Sequence, residues 1–353
     1  MSDSAVNIRD HKSQHETAEE LPLISDSATI TKLQPLDHNR VNEIQDTIED
    51  LLTLHEQTDL LKNAQTSSGD TLLNLKSELD DTNIDDQLQK NLRTLLDRYE
   101  RPYPSLLQIR FDTGEDLDFV PGQYVTIRYQ KTPRPYSISN SPNEDETEIC
   151  VRRVPNGRLT TKLYENLGTG DTIAVRGPNG EFVLQPPSQR SMVFVATGTG
   201  VAPLKSMIEY AFETGRDKVN GQKRDIWLIL GASWLDDLPY HDQFMELADS
   251  HSNFHYIPTL SREELLSDWE GETNYVQYTI LKYMDRDSID ISQQKRKFRD
   301  FLTNEPRVDI SSRLDPNNCE VYACGINAMV YPLVDVMTDI GVPEKNIESE
   351  GYG

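Results

Sequence analysis

Met192-Val193-Phe194-Val195-Ala196-Thr197 carries no charge and runs directly into Gly198-Thr199-Gly200. A strand with one face in water alternates apolar and polar residues, so an uninterrupted run belongs to a strand covered on both faces, as in a parallel sheet. Asp225 to Leu230, Phe254 to Pro258 and Glu320 to Ala323 repeat the theme, and they alternate with helical stretches at Pro203 to Phe212, His241 to Ala248 and Ala328 to Ile340. This alternation predicts a doubly wound parallel α/β domain over residues 188–353.

Upstream the period is two. Leu106 to Phe111, Gln123 to Tyr129, Tyr136 to Ile138, Glu148 to Arg153 and Thr172 to Arg176 are short runs separated by turn residues such as Pro121-Gly122. Many short strands with frequent turns predict an antiparallel β-barrel over 101–187. Ala28 to Leu33 is an isolated β-branched stretch and reads as the barrel's first strand, within 28–38 and paired with 106–111.

Between these strands, residues 39–100 change to helical spacing. Val41, Ile44, Ile48, Leu51 and Leu52 follow a cap at Asn39, and the cluster Thr66 to Asp70 breaks that helix. Leu72, Leu75 and Leu79 predict a second helix; Ile84, Leu88, Leu92, Leu95 and Tyr99 predict a third, after Asn83 or another polar cap. This is a helical insertion in the barrel's first hairpin. It has no glycine-rich loop, paired cysteines or clustered histidines, so its apolar stripes read as packing faces. Dimerising, docking a partner and covering the barrel all remain open as its role. Residues 1–27 are polar, acidic and aperiodic, and are expected to form a mobile tail.

Charge and cysteine count narrow the chemistry. The 353 residues carry 59 acidic against 35 basic side chains, a net charge of −24. Such a field disfavours nucleic acid and anionic membranes. Two readings of the acidity stand: a highly soluble protein, or a halophilic one hydrated by carboxylates in a salt-loaded cytoplasm. Cys150, Cys319 and Cys324 are the only cysteines, too few for a four-thiolate iron–sulfur cluster or a disulfide framework. Electron chemistry would need an organic cofactor or a partner's cluster, and no metal site is expected. No apolar run approaches the roughly 18 residues of a membrane span. The N-terminal residues lack an apolar stretch behind a basic start, so a cytoplasmic location is expected.

Arg134-Pro135-Tyr136-Ser137-Ile138-Ser139 sets a cation, an aromatic ring and a hydroxyl within one short segment. Arginine can pair with a pyrophosphate, tyrosine can stack on a flat heteroaromatic ring, and serine can hydrogen-bond a ring nitrogen. Alternation along a strand would put Arg134 and Tyr136 on one face and Ser137 on the other. By itself the string is common; its company is less so. It follows Asp118 to Val125 and precedes Glu148-Ile149-Cys150-Val151-Arg152-Arg153, Gly157-Arg158-Leu159-Thr160 and Gly177-Pro178-Asn179-Gly180-Glu181-Phe182. In that order these segments resemble the ferredoxin–NADP reductase family: the lead-in to the flavin motif, the motif, the strand beside the flavin, the pyrophosphate turn and the corner closing the barrel. The resemblance covers about 105 to 353 and implies FAD bound by Arg134, Pro135, Tyr136, Ser137, Cys150, Val151, Arg152, Gly157, Arg158, Leu159 and Thr160.

The second half supplies a nucleotide site. Gly198-Thr199-Gly200-Val201-Ala202-Pro203 ends an apolar strand and opens a helix, where glycines admit close backbone approach and the helix start favours an anion. It is not the Gly-x-Gly-x-x-Gly fingerprint. It resembles the family's Gly-Thr-Gly-x-Ala-Pro loop, which puts Thr199 and Gly200 at the junction of nicotinamide and flavin. Leu260-Ser261-Arg262-Glu263 and Gly271-Glu272-Thr273-Asn274-Tyr275-Val276-Gln277 resemble the segments that read NADP(H). The resemblance implies Ser261 and Arg262 on the 2′-phosphate and Tyr275 on the adenine, with Thr273 where relatives can carry a lysine. Cys324-Gly325-Ile326 resembles the cysteine–glycine loop near the nicotinamide. Glu350-Gly351-Tyr352 resembles the Glu-x-Tyr that ends plant-type reductases, here followed by Gly353.

The resemblance thus implies an FAD- and NADP(H)-dependent oxidoreductase with Ser137, Cys324, Glu350 and Tyr352 lining the hydride path and Tyr136 and Tyr352 sandwiching the flavin. Its expected partner is ferredoxin or flavodoxin, docking on basic residues such as Arg98, Arg101, Arg128, Lys131 and Arg134. Alternatives are a free-flavin, quinone or monooxygenase-component reductase, and a non-catalytic electron-transfer subunit.

Overall fold

A computed structural model describes residues 9–10, 21–66, 69–130 and 132–352. They divide into two compact units, one comprising the segments up to Leu36, Leu106–Ser261 and Glu270 onward, the other Asp37–Ser105 with Arg262–Trp269.

In the larger unit, β1 (Arg9–Asp10) and β2 (Leu23–Pro35) come first. β2 starts ahead of the expected Ala28. Its early residues pair with Arg176 and Val175 through two register shifts, and such bulges erase the alternation by which a strand is recognised. Arg9–Asp10, within the expected mobile tail, lies parallel to Glu350–Gly351; residues 1–8 and 11–20 lie outside the described residues.

Between β2 and the next strand the chain forms the smaller unit: α1 (Val41–Leu54), α2 (Thr58–Thr66), α3 (Thr71–Glu78) and α4 (Asp86–Tyr99). Ile44, Ile48 and Leu52 of α1 and Leu88, Leu92 and Leu95 of α4 are buried, the stripes that helical spacing requires. The first expected helix is two helices, because Glu56 adopts φ 58° and a left-handed residue ends a helix. Neither glycine nor proline marks that break in sequence. Asp85, and not Asn83, caps α4 by accepting from the amides of Gln87 and Leu88, so Ile84 precedes the helix. Arg40 Nη1 donates to both oxygens of the fully buried Glu263 at 2.8 and 2.9 Å.

The chain returns to the larger unit in β3 (Leu106–Asp112), β4 (Tyr124–Tyr129), β5 (Thr132–Ser137), β6 (Thr147–Arg152), α5 (Thr160–Asn166) and β7 (Thr172–Asn179). The antiparallel order is β5-β4-β7-β2-β3-β6. A bridge between Ile138 and Ile149 draws the two edges together, so the sheet closes toward a barrel. β2 pairs with β3 from Thr29–Asp112 to Pro35–Leu107, the hairpin into which the helices are inserted. Ile30, Ile109, Val125, Ile127, Val151 and Val175 fill the interior.

The second sheet uses β8 (Ser191–Thr197), β11 (Ile226–Ala232), β12 (Phe254–Leu260), β13 (Cys319–Ile326) and β14 (Ile347–Tyr352), with a small hairpin of β9 (Lys218–Val219) and β10 (Gln222–Lys223) beside it. Its order is β1-β14-β13-β8-β11-β12, parallel throughout. From β8 the chain moves outward to β12, then returns to the other side of β8 for β13 and β14. The carboxyl ends of β8 and β13 therefore form a topological switch point, where open α/β sheets bind ligands. The main helices here are α6 (Val201–Glu213), α7 (His241–Ser250), α8 (Val276–Thr279), α9 (Arg296–Thr303) and α10 (Asn327–Asp339). Val193, Val195, Trp227 and Ile229 face the core shared with α8, α9 and α10. By alternation Phe194 faces the opposite side, where Tyr322 stacks on it at 5.1 Å and meets Phe182 edge-on at 6.5 Å.

Candidate active site

At the switch point the barrel faces the carboxyl ends of β8, β13 and β14 across a cavity of about 480 Å³. From the barrel, Arg134, Pro135, Tyr136 and Ser137 all line it. The alternation expected of this segment does not divide it, because β5 is an edge strand that ends at Ser137. Cys150 and Arg152 line the cavity from β6. Val151, between them, turns its side chain into the barrel core and does not line the cavity.

Gly157, Arg158, Leu159 and Thr160 form the next wall and lead into α5. No side chain caps the start of that helix, and the Thr161 amide donates to the Gly157 carbonyl at 3.1 Å. The Thr160 hydroxyl accepts from the Val154 amide at 3.1 Å and closes the turn. A Cβ on Gly157 would come within 2.9 Å of the Val154 carbonyl oxygen, so the turn requires glycine.

From the parallel sheet come Thr199, Gly200, Cys324, Glu350 and Tyr352. Parallel register pairs Cys324 with Glu350 and Ile326 with Tyr352. A Cβ on Gly200 would stand 2.7 Å from the Cys324 carbonyl carbon and 2.9 Å from Gly325 Cα, so glycine allows β13 to lie against the start of α6. Tyr352 Oη lies 3.4 Å from both Thr199 Oγ1 and the Thr197 carbonyl oxygen. Among the described residues, Thr197 Oγ1 is buried here without a hydrogen-bond partner. Two tyrosine rings, an arginine and an uncapped helix start suit an elongated ligand with a flat ring and an anionic middle.

Burial keeps the cysteines and tyrosines of the cavity neutral. It pushes the Cys150 thiol up to about 12, and raises the Cys324 thiol well above its ordinary value with help from the Glu350 charge. Desolvation likewise raises Tyr136 and Tyr352. Neither cysteine is a thiolate nucleophile at neutral pH.

Charged pairs join the two halves behind the cavity. Arg152 Nη1 meets Asp237 Oδ1 at 3.0 Å, so this cation is already held as a strut. Lys205 of α6 reaches Glu148 of β6 at 3.3 Å and Glu209 at 2.8 Å. Glu148 also accepts from Ser139, Gln108 and Arg110, and Tyr240 donates to Ser139 Oγ at 3.0 Å. Burial outweighs the attraction of Lys205 and lifts the Glu209 carboxyl to about 7.

The remaining residues singled out by sequence lie off the cavity wall. Gly325 and Ile326 end β13, with Ile326 half exposed. Ser261 is exposed just past β12, and Tyr275 is 66% exposed at the start of α8. The Leu260 amide donates to the Glu272 carbonyl at 2.8 Å, which brings the Tyr275 segment to the same strand end. Arg262 is exposed and precedes a short 3₁₀ turn in the smaller unit. Ala202, within the Gly-Thr-Gly-x-Ala-Pro string, also lines the cavity, as does Val154, which carries no chemical signature that sequence reading could have found. Of the proposed docking cations, Arg98 is only 7% exposed and cannot present its charge, and Lys131 and Gly353 lie outside the described residues.

The oxidoreductase FAD-binding domain family matches residues 104–184, and the oxidoreductase NAD-binding domain family matches 194–333. The chain belongs to the FAD- and NAD-binding oxidoreductases of the ferredoxin–NADP reductase type. It is 28% identical to ferredoxin–NADP reductase B of Sorangium cellulosum over 257 residues, 71% of this chain and 92% of that one. It is 31% identical to protein RfbI of Salmonella typhimurium over 180 residues, 51% of each chain; this chain spans about half the length of the first relatives it matches. Among solved structures, an Amycolatopsis cytochrome P450 reductase, GcoB, superposes with a TM-score of 0.56 at 25% identity, covering 70% of this chain and 66% of that one. The family-matched ranges include the barrel strands from β3 onward and the parallel sheet through β13; α1 to α4, and β14 with Glu350 and Tyr352, fall outside them. Among the described residues no helix is long and apolar enough to cross a membrane.

Proposed function

We propose that this reductase-family chain transfers hydride between NADP(H) and FAD and exchanges single electrons with ferredoxin or flavodoxin. The observation that carries this reading is the convergence of Arg134–Ser137 with Thr199, Cys324, Glu350 and Tyr352 around one cavity at the switch point. Bound FAD supplies the redox chemistry, accepting hydride and releasing electrons one at a time.

The chain's residues supply position and electrostatics. Tyr136 and Tyr352, kept neutral by burial, offer flat faces to the isoalloxazine. Ser137 would hydrogen-bond a ring nitrogen of the flavin. Arg134 and the turn from Gly157 to Thr160 would hold the pyrophosphate, with Cys150, Val151 and Arg152 forming the wall beside the ring. Thr199, Gly200, Gly325 and Ile326 shape the nicotinamide entry, with Cys324 and Glu350 as a neutral thiol and a buried carboxyl along the hydride path. Ser261 and Arg262 take the 2′-phosphate, and Tyr275 stacks on adenine. A monooxygenase component as electron acceptor is a second reading, supported by the likeness to a cytochrome P450 reductase. A cytoplasmic location and a halophilic origin complete the proposal, the latter resting on the charge of −24.

The test is a visible spectrum of the purified protein followed by anaerobic addition of NADPH or NADH. A yellow protein bleached preferentially by NADPH is expected; a colourless protein, or a yellow one that neither nucleotide bleaches, overturns the reading.

A further inference from the structure

No sequence signature falls in the stretch that follows β11, yet its residues brace the cavity from behind. The 3₁₀ turn Leu235–Asp237 leads to Tyr240, which takes the left-handed φ of 61° without being glycine. Backbone strain of this kind persists only where the surroundings fix it. Trp234, Asp237, Leu238 and Tyr240 are all buried, and Tyr240 Oη donates to Ser139 Oγ, just past β5, at 3.0 Å. Asp237 is fastened to β6 by Arg152. Nη1 of that arginine donates to Asp237 Oδ1 at 3.0 Å, and Nη2 donates to the Asp237 carbonyl at 3.3 Å.

A carboxylate taken out of water is costly unless a cation partners it, and here the partner is a cation of the cavity wall. Arg152 lines the cavity beside Cys150. A Cβ on Gly198 would stand 3.8 Å from Arg152 Nη2, so the guanidinium lies where the barrel wall meets the loop that opens α6. Its charge is felt across the cavity: burial raises the Cys150 thiol and the Tyr352 hydroxyl, and Arg152 opposes both rises. A ring that gains negative charge on reduction is stabilised by such a cation and destabilised by a carboxylate behind it. Together Arg152 and Asp237 are nearly neutral, and removing either leaves a charge of one sign at the wall.

We propose that Asp237 is a positioning residue that holds the Arg152 guanidinium at the flavin wall and offsets its charge, thereby setting the reduction potential of the bound flavin. This rests on the flavin reading above and adds a residue that does not itself line the cavity. Asp237→Asn keeps an acceptor for Nη1 and leaves the carbonyl bond in place, so the guanidinium stays while its counter-charge is lost. Arg134, Arg158 and Glu350, the other charged residues of the wall, are untouched.

The experiment is an anaerobic spectroelectrochemical titration of the FAD-loaded protein at neutral pH. Asp237→Asn is expected to favour reduced over oxidised flavin roughly tenfold more than the wild type does, a rise of about 30 mV for a two-electron couple. Arg152→Gln is expected to lower the potential, and the double variant to return toward the wild-type value, because both charges are then gone. A purified wild type that holds no FAD would defeat the flavin reading itself. In an FAD-loaded protein, an Asp237→Asn potential that is unchanged or lower, or loss of flavin from that variant, would overturn the Asp237 assignment alone. So would an Arg152→Gln potential that does not fall, or a double variant that keeps the full Asp237→Asn shift.

Discussion

Replacing Lys205 with methionine isolates the charge network that joins the barrel to the parallel sheet. Methionine keeps most of the stem's packing volume but removes the cation from between Glu148 and Glu209, at 3.3 and 2.8 Å, and from above the Tyr240 ring at 4.8 Å. Removing one member of a buried pair costs about 3–5 kcal/mol. Glu148 retains Arg110 at 2.7 Å, which places the loss toward the lower figure. The Glu209 carboxyl titrates at about 7, raised from 4.5 mainly by burial. Being raised, it contributes stability that is fully present below about 4.5 and lost as pH climbs through about 7. Without Lys205 its titration moves higher still, so the wild type stops losing stability near pH 7 while the variant continues at about 1.4 kcal/mol per pH unit. Thermal unfolding followed by far-ultraviolet circular dichroism should show Lys205→Met melting about 4 °C lower at pH 6, with a further loss of about 1–2 kcal/mol at pH 8. Adding Glu209→Gln should abolish that pH-dependent part. Equal losses at both pH values, or a double variant no more stable at pH 8 than Lys205→Met, would refute the assignment of Glu209 as the carboxyl that Lys205 holds charged.

Ser137→Ala should keep its FAD yet lower the rate of flavin bleaching by NADPH at least about tenfold in stopped flow; near-normal bleaching removes Ser137 from the hydride path. Gly200→Ala places a methyl group 2.7 Å from the Cys324 carbonyl carbon. The strand and the helix start must separate, with a cost of about 1–3 kcal/mol in urea unfolding and weakened nucleotide binding; unchanged values for both would contradict that contact. Because the net charge is −24, the melting temperature should rise between low and molar potassium chloride as self-repulsion is screened; a flat response counts against a halophilic origin.

Hydrophobic period carried most of the fold. The uncharged run at 192–197 and the apolar run that follows Asp225 became β8 and β11, and the period-two runs became the barrel. Both follow from which faces a strand must bury, a property written into consecutive residues. Bulges, local caps and single left-handed residues are written less openly. The first residues of β2 change register and lose their alternation, Glu56 separates α1 from α2 by turning left-handed without a glycine, and β14, which carries Glu350 and Tyr352, has no apolar run to mark it as a strand.

The site shows the same division more sharply. Residues whose chemistry is local, such as Arg134, Tyr136, Thr199 and Cys324, were legible as short strings, and the structure gathers them around one cavity. The Arg152–Asp237 strut and the Lys205 network were not, because each joins segments far apart in the chain and neither has a local pattern. A buried charge reads in sequence like any solvated one; only its partners reveal it. Arg152, which reads in sequence as a cofactor ligand, lines the cavity and also pairs with Asp237. Distant pairing decides how firmly the two halves are held, so substitutions at Asp237 or Lys205 should alter flavin potential and pH response even though no recognised string contains them.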